Sequence, residues 1–270
     1  MASVQPVQPS TGWGVLHLYY RVDRERAERD PSAAKHIADA VAALEADGHQ
    51  VLPVAVLGHK ADIGFVALGP DLARLQRFQQ ELLRAPLEPV YSYVSLTELS
   101  EYTSTEDDER QRLATEEELA GDELETRLAV WRERIAHYQE QRLHPQLPHK
   151  QLLCFYPMSK RRAPGDNWYE LPFEERKRLM GGHARVGRTY AGRILQLISG
   201  STGIDDWEWG VTLLTDDAVA LKDIVSEMRF DPVSARYADF GPFYTGLVLP
   251  VADACARVGL VVDRAEGQAQ

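Results

Sequence analysis

The segment LMGGHARVGRTYAG, residues 179–192, places His183 close to Gly181, Gly182 and Gly187 in a stretch that otherwise has helical periodicity. Each glycine costs a helix interior roughly 1 kcal/mol relative to alanine. Gly181 and Gly182 precede the histidine, and Gly187 follows it by one turn. Because Gly187 removes the side chain that would cover the imidazole, we interpret the pattern as space for a broad, flat ligand. A planar macrocycle held by an axial histidine fits this requirement, whereas a zinc site fits poorly because no HxxxH, HExxH or CxxC motif lies nearby.

A second group of candidate residues lies on the apolar strand CFYPMSK. Successive strand residues point to opposite faces, so Tyr156, Met158 and Lys160 share one face. A phenol, a thioether and an ammonium on the same face suit a ligand with both apolar and carboxylate parts. Between residues 156 and 193 the chain carries nine Lys/Arg against four Asp/Glu. An ordinary solvent-exposed helix face explains the cations at 176–178, but for those at 160–162 an anionic ligand is an equally good explanation.

Two similar units must position these residues. Residues 62–94 match residues 208–240 at a constant offset of 146 without a gap. The matched pairs include Gly64/Gly210, Asp71/Asp217, Leu75/Leu221, Pro86/Pro232 and Tyr91/Tyr237. We infer an internal duplication. The first helix of the first unit has nothing resembling the glycines around His183, so the units share structure but not chemistry.

Each unit has the pattern strand, helix, strand, strand, helix, strand. The sequence therefore predicts an α+β fold, a dimeric ferredoxin-like α/β barrel built from two duplicated βαββαβ units in one chain, with helices on the outside. We expect a first repeat over residues 1–106, a helical connector over 107–147 and a second repeat over 148–270 that carries the site.

Composition limits the classes of function. The net charge of −11 over 270 residues opposes binding to nucleic acid and to anionic membranes. No long apolar run and no basic, apolar leader is visible, so we expect a cytoplasmic protein that does not span a membrane. Cys154 and Cys255, the two cysteines, each lie in an apolar run, which favours buried thiols over a disulfide.

The motifs together resemble a known family. The blocks YPMSKRR, NWYELP, LMGGHARVGRTYAG, GSTGIDDWEWGVTL and EMRFDPVSAR occur in this order, and they are similar to those of the coproheme decarboxylases of the chlorite dismutase-like superfamily. The resemblance extends over the whole chain and is strongest from about residue 142 to residue 246.

This resemblance implies an enzyme of haem biosynthesis. Iron coproporphyrin III would be both substrate and redox cofactor, and hydrogen peroxide the oxidant. Two propionates would become vinyls, giving haem b and carbon dioxide. The family also implies a homo-oligomer of five subunits.

The same resemblance assigns roles to individual residues. His183 would be the proximal iron ligand, Tyr156 the radical-forming tyrosine and Lys160 the cation beside a reacting propionate. The remaining porphyrin contacts implied by the resemblance are Arg142, Pro157, Met158, Ser159, Gln196, Arg229 and Ser234. Buried carboxylates need such donors and cations, because an unpaired one costs several kcal/mol.

Gln196 separates branches of the superfamily. Chlorite dismutases place an arginine at the matching position, so a neutral glutamine disfavours chlorite chemistry. The alternatives are a haem-dependent peroxidase or chlorite-degrading enzyme, a haem carrier or sensor without turnover, and a cofactorless monooxygenase, which would leave Gly187 unexplained. An axial histidine usually donates its other N–H to a carboxylate or carbonyl, and Glu227 is the candidate for that role.

Overall fold

A computed structural model describes residues 5–260 of the chain. The outermost parts of the two expected repeats, residues 1–4 and 261–270, lie outside the described residues. No helix within residues 5–260 is both long and apolar enough to cross a membrane.

The first repeat begins with an almost fully buried strand and alternates strands with helices. Its elements are β1 (Gly14–Val22), α1 (Arg24–Arg29), α2 (Ala33–Ala46), β2 (Gln50–Val56), β3 (Ile63–Gly69), α3 (Leu72–Leu82) and β4 (Leu87–Thr97). Asp71 caps α3 by accepting a hydrogen bond from the N–H of Ala73 at 2.9 Å. This is the helix start that the sequence predicts.

The connector consists of two helices, α4 (Glu106–Glu116) and α5 (Gly121–Leu143). Thr105 and Asp108 form a capping box at the start of α4. Glu118 interrupts the helical run with a φ of 53°. Surface ion pairs such as Arg132 with Glu106 join the two helices. The division at residues 106 and 147 stays a proposal.

The second repeat has the same core order with insertions. Its elements are β5 (Leu152–Lys160), the short hairpin β6 (Arg162–Ala163) and β7 (Asp166–Asn167), a 3-10 turn (Trp168–Glu170), α6 (Phe173–Thr189), β8 (Ile194–Gly200), β9 (Trp209–Thr215), α7 (Ala218–Met228), α8 (Pro232–Tyr237), β10 (Ala238–Phe240), β11 (Tyr244–Val248) and α9 (Val251–Arg257). His183 lies in the second half of α6, as its helical periodicity predicts.

The strands of both repeats form one antiparallel barrel. The order is β10-β5-β11-β2-β3-β1-β4-β8-β9, and β9 pairs back with β5, which closes the sheet. Each repeat keeps the ferredoxin-like arrangement, with β1 between β3 and β4 and with β5 between β9 and β11. Two short seams join the repeats, β4 with β8 and β11 with β2. The predicted fold class is confirmed.

Strand alternation sorts the side chains into a barrel interior and two helix-covered outer faces. On β5, Leu153 and Phe155 point into the barrel, whereas Cys154 and Tyr156 point outward, toward a cluster that includes residues of α7. On the first repeat the outer core is covered by α2, α3 and also α9. The outer face of the second repeat is therefore where the candidate residues collect.

The gapless match between the repeats fails after the second helix. Residues 87–97 form strand β4, but residues 232–237, which the offset aligns with 86–91, form helix α8. Asp231 caps α8 by accepting from the N–H of Val233 at 3.1 Å, and Pro232 supplies the first helical residue. The sequence expectation was wrong here, because an Asp-Pro helix start overrides the similarity of the flanking residues.

Candidate functional site

His183 is held by a carboxylate. Its Nδ1–H donates to Oδ2 of Asp231, a buried residue at the start of α8. Asp231 also accepts from the hydroxyl of Ser234 at 3.4 Å. No residue within 5–260 hydrogen-bonds Nε2 of His183. A histidine whose one nitrogen is oriented by a carboxylate and whose other nitrogen is available has the arrangement found in metal-ligating histidines.

The expected partner of His183 was wrong. Glu227 accepts a hydrogen bond from the hydroxyl of Tyr190 at 2.7 Å, and Asp231 takes the place that we expected for Glu227. The reason is that α7 ends at Met228 and the chain turns into α8, so the cap residue and not the helix residue reaches the imidazole. The dipeptide Asp-Pro was the sequence signal that could have identified this cap.

Tyr156 is a buried phenol on β5. Its ring stacks on Phe243 with centroids 4.4 Å apart. Burial raises the pKa of Tyr156, with a smaller contribution from Cys154, and the guanidinium of Arg229 opposes the shift. The hydroxyl makes no hydrogen bond to any described residue. Tyr156 is therefore a protonated phenol whose oxygen has no hydrogen-bond partner among residues 5–260.

Lys160 is a buried cation at the end of the same strand. Its Nζ lies 4.4 Å from the centroid of the Trp168 ring. Burial lowers the pKa of Lys160 to about 8, while the negative charges of Asp231 and Glu208 oppose that shift. Neither carboxylate forms an ion pair with the ammonium in the described part of the chain. A buried ammonium in this state is suited to accept an anionic group from a ligand.

Arg142 is a second under-satisfied cation, from the end of α5. Its Nη2 makes two long contacts of 3.4 Å, to the carbonyls of Glu98 and Ile198. Its Nε is buried without a hydrogen-bond partner among residues 5–260. Since a buried guanidinium N–H without an acceptor is costly, this side chain also fits a ligand carboxylate.

Gln196 contacts the glycine that the sequence singles out. Its amide donates to the carbonyl of Gly187 at 3.4 Å. A Cβ on Gly187 would lie 3.2 Å from Cε of Met228 and 3.3 Å from Nε2 of Gln196, whereas Gly181 and Gly182 face open space. The room at Gly187 is therefore bounded by the ends of two flexible side chains, which can move for a ligand.

The other predicted contacts divide by strand face. Met158 lies on the face of Tyr156, and Ser234 is buried beside Asp231. The guanidinium of Arg229 lies 3.9 Å from the centroid of Phe240. By strand alternation the Pro157 and Ser159 side chains point the other way; the Ser159 hydroxyl accepts from the N–H of Glu208 at 3.2 Å. These two residues can reach a ligand on the Tyr156 face through their backbone only.

The donor set fits an iron porphyrin. One imidazole with a carboxylate behind it suits an axial ligand, and no described group of three His, Cys, Asp or Glu side chains could hold a bare metal ion. Lys160 and Arg142 have unmet polar requirements that propionate carboxylates satisfy. Asp231, Glu208 and Trp168 belong to the same surroundings and were missed by the sequence reasoning.

Comparisons with known proteins place the chain in a family. A family model described as Chlorite dismutase matches residues 31–249. A heme-binding protein from Thermus thermophilus of known structure is 36% identical, with 95% of this chain and 100% of that chain covered and a TM-score of 0.75. A chlorite dismutase variant from Candidatus Nitrospira defluvii has a TM-score of 0.68 at 16% identity, over 93% of this chain and 96% of that chain. That last likeness concerns the fold alone.

Archaeal relatives are similar in sequence but longer. A protein of Natronomonas pharaonis named "Putative heme-binding protein" is 40% identical in an alignment 261 residues long that covers 91% of this chain and 40% of that protein. A protein of Halobacterium salinarum with the same description is 41% identical in an alignment 266 residues long that covers 94% of this chain and 50% of that protein. The chain thus spans half or less of the length of these curated relatives.

Proposed function

We propose a function from the premise that this chain belongs to the chlorite dismutase family. The outer face of the second repeat would bind an iron porphyrin, and His183 would hold the iron. The names of the relatives from Thermus, Natronomonas and Halobacterium support haem binding. The hydrogen bond from His183 to Asp231 supports it independently.

We further propose that the chain is a coproheme decarboxylase. It converts two propionates of iron coproporphyrin III to vinyls and yields haem b. The observation that carries this proposal is the pairing, on one face of β5, of the Tyr156 phenol with the buried Lys160 ammonium, both without a hydrogen-bond or ion-pair partner among residues 5–260. Simple haem binding needs His183 but has no use for a phenol beside a propionate.

The residues divide the work by chemistry. His183, supported by Asp231, holds the iron, and Lys160, Arg142, Ser234 and Arg229 receive propionates. When bound, the iron ring together with hydrogen peroxide supplies the oxidising equivalents. As a radical, the Tyr156 phenol takes a hydrogen atom from the β-carbon of a propionate. Each propionate then loses carbon dioxide and, in total, two electrons, while one peroxide is reduced to two waters.

The state of Tyr156 suits this role. Because burial raises the pKa of Tyr156 and no described residue accepts its proton, the phenol stays protonated at rest. Oxidation of such a phenol must release its proton into the ligand pocket. Lys160 orients the propionate by charge, because the propionate carboxylate supplies the ion-pair partner that the ammonium does not find among residues 5–260.

Gln196 favours decarboxylation over chlorite breakdown. A neutral amide hydrogen-bonded to Gly187 provides no cation to steer an oxyanion over the metal. A peroxidase-like or chlorite-degrading activity is therefore the second candidate, and a carrier or sensor without turnover the third.

The decisive experiment follows product mass. Protein loaded with iron coproporphyrin III is titrated with hydrogen peroxide, and the porphyrin is followed by mass spectrometry. We expect two successive losses of carbon dioxide plus two hydrogens. Tyr156→Phe should bind the porphyrin and leave it unchanged. An unaltered porphyrin with the wild-type protein would indicate a carrier, and conversion by Tyr156→Phe at the wild-type rate would remove Tyr156 from its role.

Assembly and location are parts of the same proposal. We infer a ring of five copies that acts in haem biosynthesis, as the family resemblance implies. We also infer a cytoplasmic protein with no nucleic-acid or membrane partner, as the composition favours. Sedimentation of the purified protein measures the number of copies directly.

A further inference from the structure

Glu208 is a buried carboxylate that directly precedes β9 and lies beside the end of β5. Its side chain is 7% exposed. Its Oε2 accepts the backbone N–H of Lys160 at 2.7 Å. Its own N–H donates to the carbonyl of Met158 at 3.1 Å, and its carbonyl accepts from Ser201 at 2.7 Å. Glu208 is therefore attached to the strand end that presents Lys160.

Glu208 also fastens the hairpin that follows Lys160. Arg162 of β6 lies 3.6 Å from Oε1 of Glu208, and burial together with the nearby Glu208 carboxylate raises the pKa of the Tyr169 phenol. Between these residues the chain turns back, and the N–H of Trp168 donates to the carbonyl of Arg161 at 2.9 Å. This return places the Trp168 ring against the Lys160 ammonium.

The charge around Lys160 makes Glu208 important. The acidic groups that face the ammonium are Asp231 from the start of α8 and Glu208 from the start of β9. Arg161 directly follows β5, Arg162 begins β6, Arg236 lies on α8, and Trp168 and Tyr169 belong to the 3-10 turn. Asp231 is already bound to His183, to the N–H of Val233 and to Ser234. Of the two carboxylates that face the Lys160 ammonium, Glu208 is the one that is not hydrogen-bonded to His183.

We propose that Glu208 is a positioning residue for Lys160. It fixes the strand end that carries the ammonium, anchors the hairpin that returns Trp168, and supplies the negative charge that keeps the buried ammonium ready for a ligand carboxylate. The inference rests on the proposed function, because it assumes that Lys160 receives a propionate. It assigns Glu208 no contact with the porphyrin.

The test uses iron-free coproporphyrin III, whose fluorescence reports binding without turnover. Wild-type affinity should fall as the pH rises through about 8, the pKa of Lys160. Glu208→Gln keeps an acceptor for the Lys160 N–H but removes the charge, so the fall should begin at lower pH. We expect roughly three- to tenfold weaker binding at pH 8 and near wild-type binding at pH 6.

A double-mutant comparison separates this role from a general structural one. In a Lys160→Met background, Glu208→Gln should change affinity by less than about twofold, because the effect acts through the ammonium. Asp239→Asn is the matched control: its carboxylate lies on the neighbouring strand β10 but pairs with Arg161 at 2.8 Å. Its binding profile should keep the wild-type dependence on pH.

The outcomes are distinguishable. If the wild-type protein binds no coproporphyrin, the proposed function fails and this inference falls with it. If the wild-type protein binds, and Lys160→Met weakens binding, but Glu208→Gln follows the wild-type profile or is weaker by the same factor at every pH, only the role of Glu208 is overturned.

Discussion

Lys160 lowers the stability of the ligand-free protein, because its ammonium is buried without a partner among residues 5–260. The ammonium is buried, has an aromatic ring on one side and has no ion-pair partner among residues 5–260. Burying an unpaired charge opposes folding. A carboxylate ligand would relieve that cost, so part of the binding energy is already stored in the folded site.

Replacing Lys160 with methionine should therefore stabilise the free protein. The pKa of Lys160 is about 8 when folded and 10.5 ordinarily, so the unfolded chain binds more protons between these values and wild-type stability rises with pH across that window. Below pH 8 the full cost is present, and we expect Lys160→Met to gain about 2–3 kcal/mol at pH 7, with the gain shrinking toward pH 10.5. Urea unfolding at several pH values measures it. A less stable variant at pH 7 would contradict the burial argument.

Asp231 should control the axial ligand. Asp231→Asn keeps an acceptor but removes the charge behind His183, so we expect about tenfold weaker haem binding and a higher reduction potential of the bound iron. Glu227→Gln is the matched control, since Glu227 bonds Tyr190 and not His183. Haem titration and potentiometry provide the two measurements. Equal effects from both variants would exclude a specific role for Asp231.

At the scale of elements, the glycines of α6 separate into two kinds. A Cβ added to Gly182 would have nothing within 4 Å of it, whereas the same atom on Gly187 would contact Met228 and Gln196. Helix propensity alone favours alanine at both positions. Of these two positions, only at Gly187 would an added methyl group press against neighbouring side chains.

Gly182→Ala and Gly187→Ala should therefore differ in binding. Gly182→Ala should raise stability by about 0.5–1 kcal/mol and leave porphyrin affinity unchanged. Gly187→Ala should gain less stability and weaken porphyrin binding, because Gln196 and Met228 must shift toward the ligand space. Thermal unfolding and porphyrin titration compare the two. Equal affinities would show that the open helix face at Gly187 has no bearing on the ligand.

The elements were largely predictable because their signals are local. Asp71 and Asp217 cap α3 and α7 as their type and position indicate, and the alternation on β5 correctly places Tyr156 with Met158. The partner of His183 was not predictable in the same way. It depends on where α7 stops and α8 begins, a choice between two backbones that the repeat similarity concealed.

At the scale of the whole molecule, the barrel makes the two repeats interdependent. Tyr19 and Val15 from the first repeat and Leu153 and Phe155 from the second pack in one interior. The seam between β4 and β8 consists of two residue pairs, and that between β11 and β2 of three. Such short seams leave no sequence signature, so the duplication predicted two sheets that meet, but not the register that closes them.

Neither repeat should be a stable monomer alone. A fragment of residues 1–146 would expose the interior face of its sheet and lose the cover of α9, so we expect it to self-associate or aggregate. Co-expression with residues 147–270 should restore a soluble complex. Sedimentation of the fragment and of the pair tests this, and a monomeric fragment with a cooperative unfolding transition would contradict it.

The change from strand to helix at residues 232–237 also limits what one half of the chain reveals about the other. A self-alignment at the fixed offset equates Ser234 with Glu88 and Asp231 with Ala85, residues at the start of β4 and in the turn before it. The imidazole that lies in this part of the first repeat, His36, contacts the carbonyl of Glu81 at 3.0 Å and not a carboxylate. An alignment of the two repeats by sequence alone would thus treat α8 as a second copy of the start of β4. In three dimensions that segment is a helix outside the sheet, and its first residues give the second repeat a carboxylate that holds His183. The first repeat has an alanine at the aligned position.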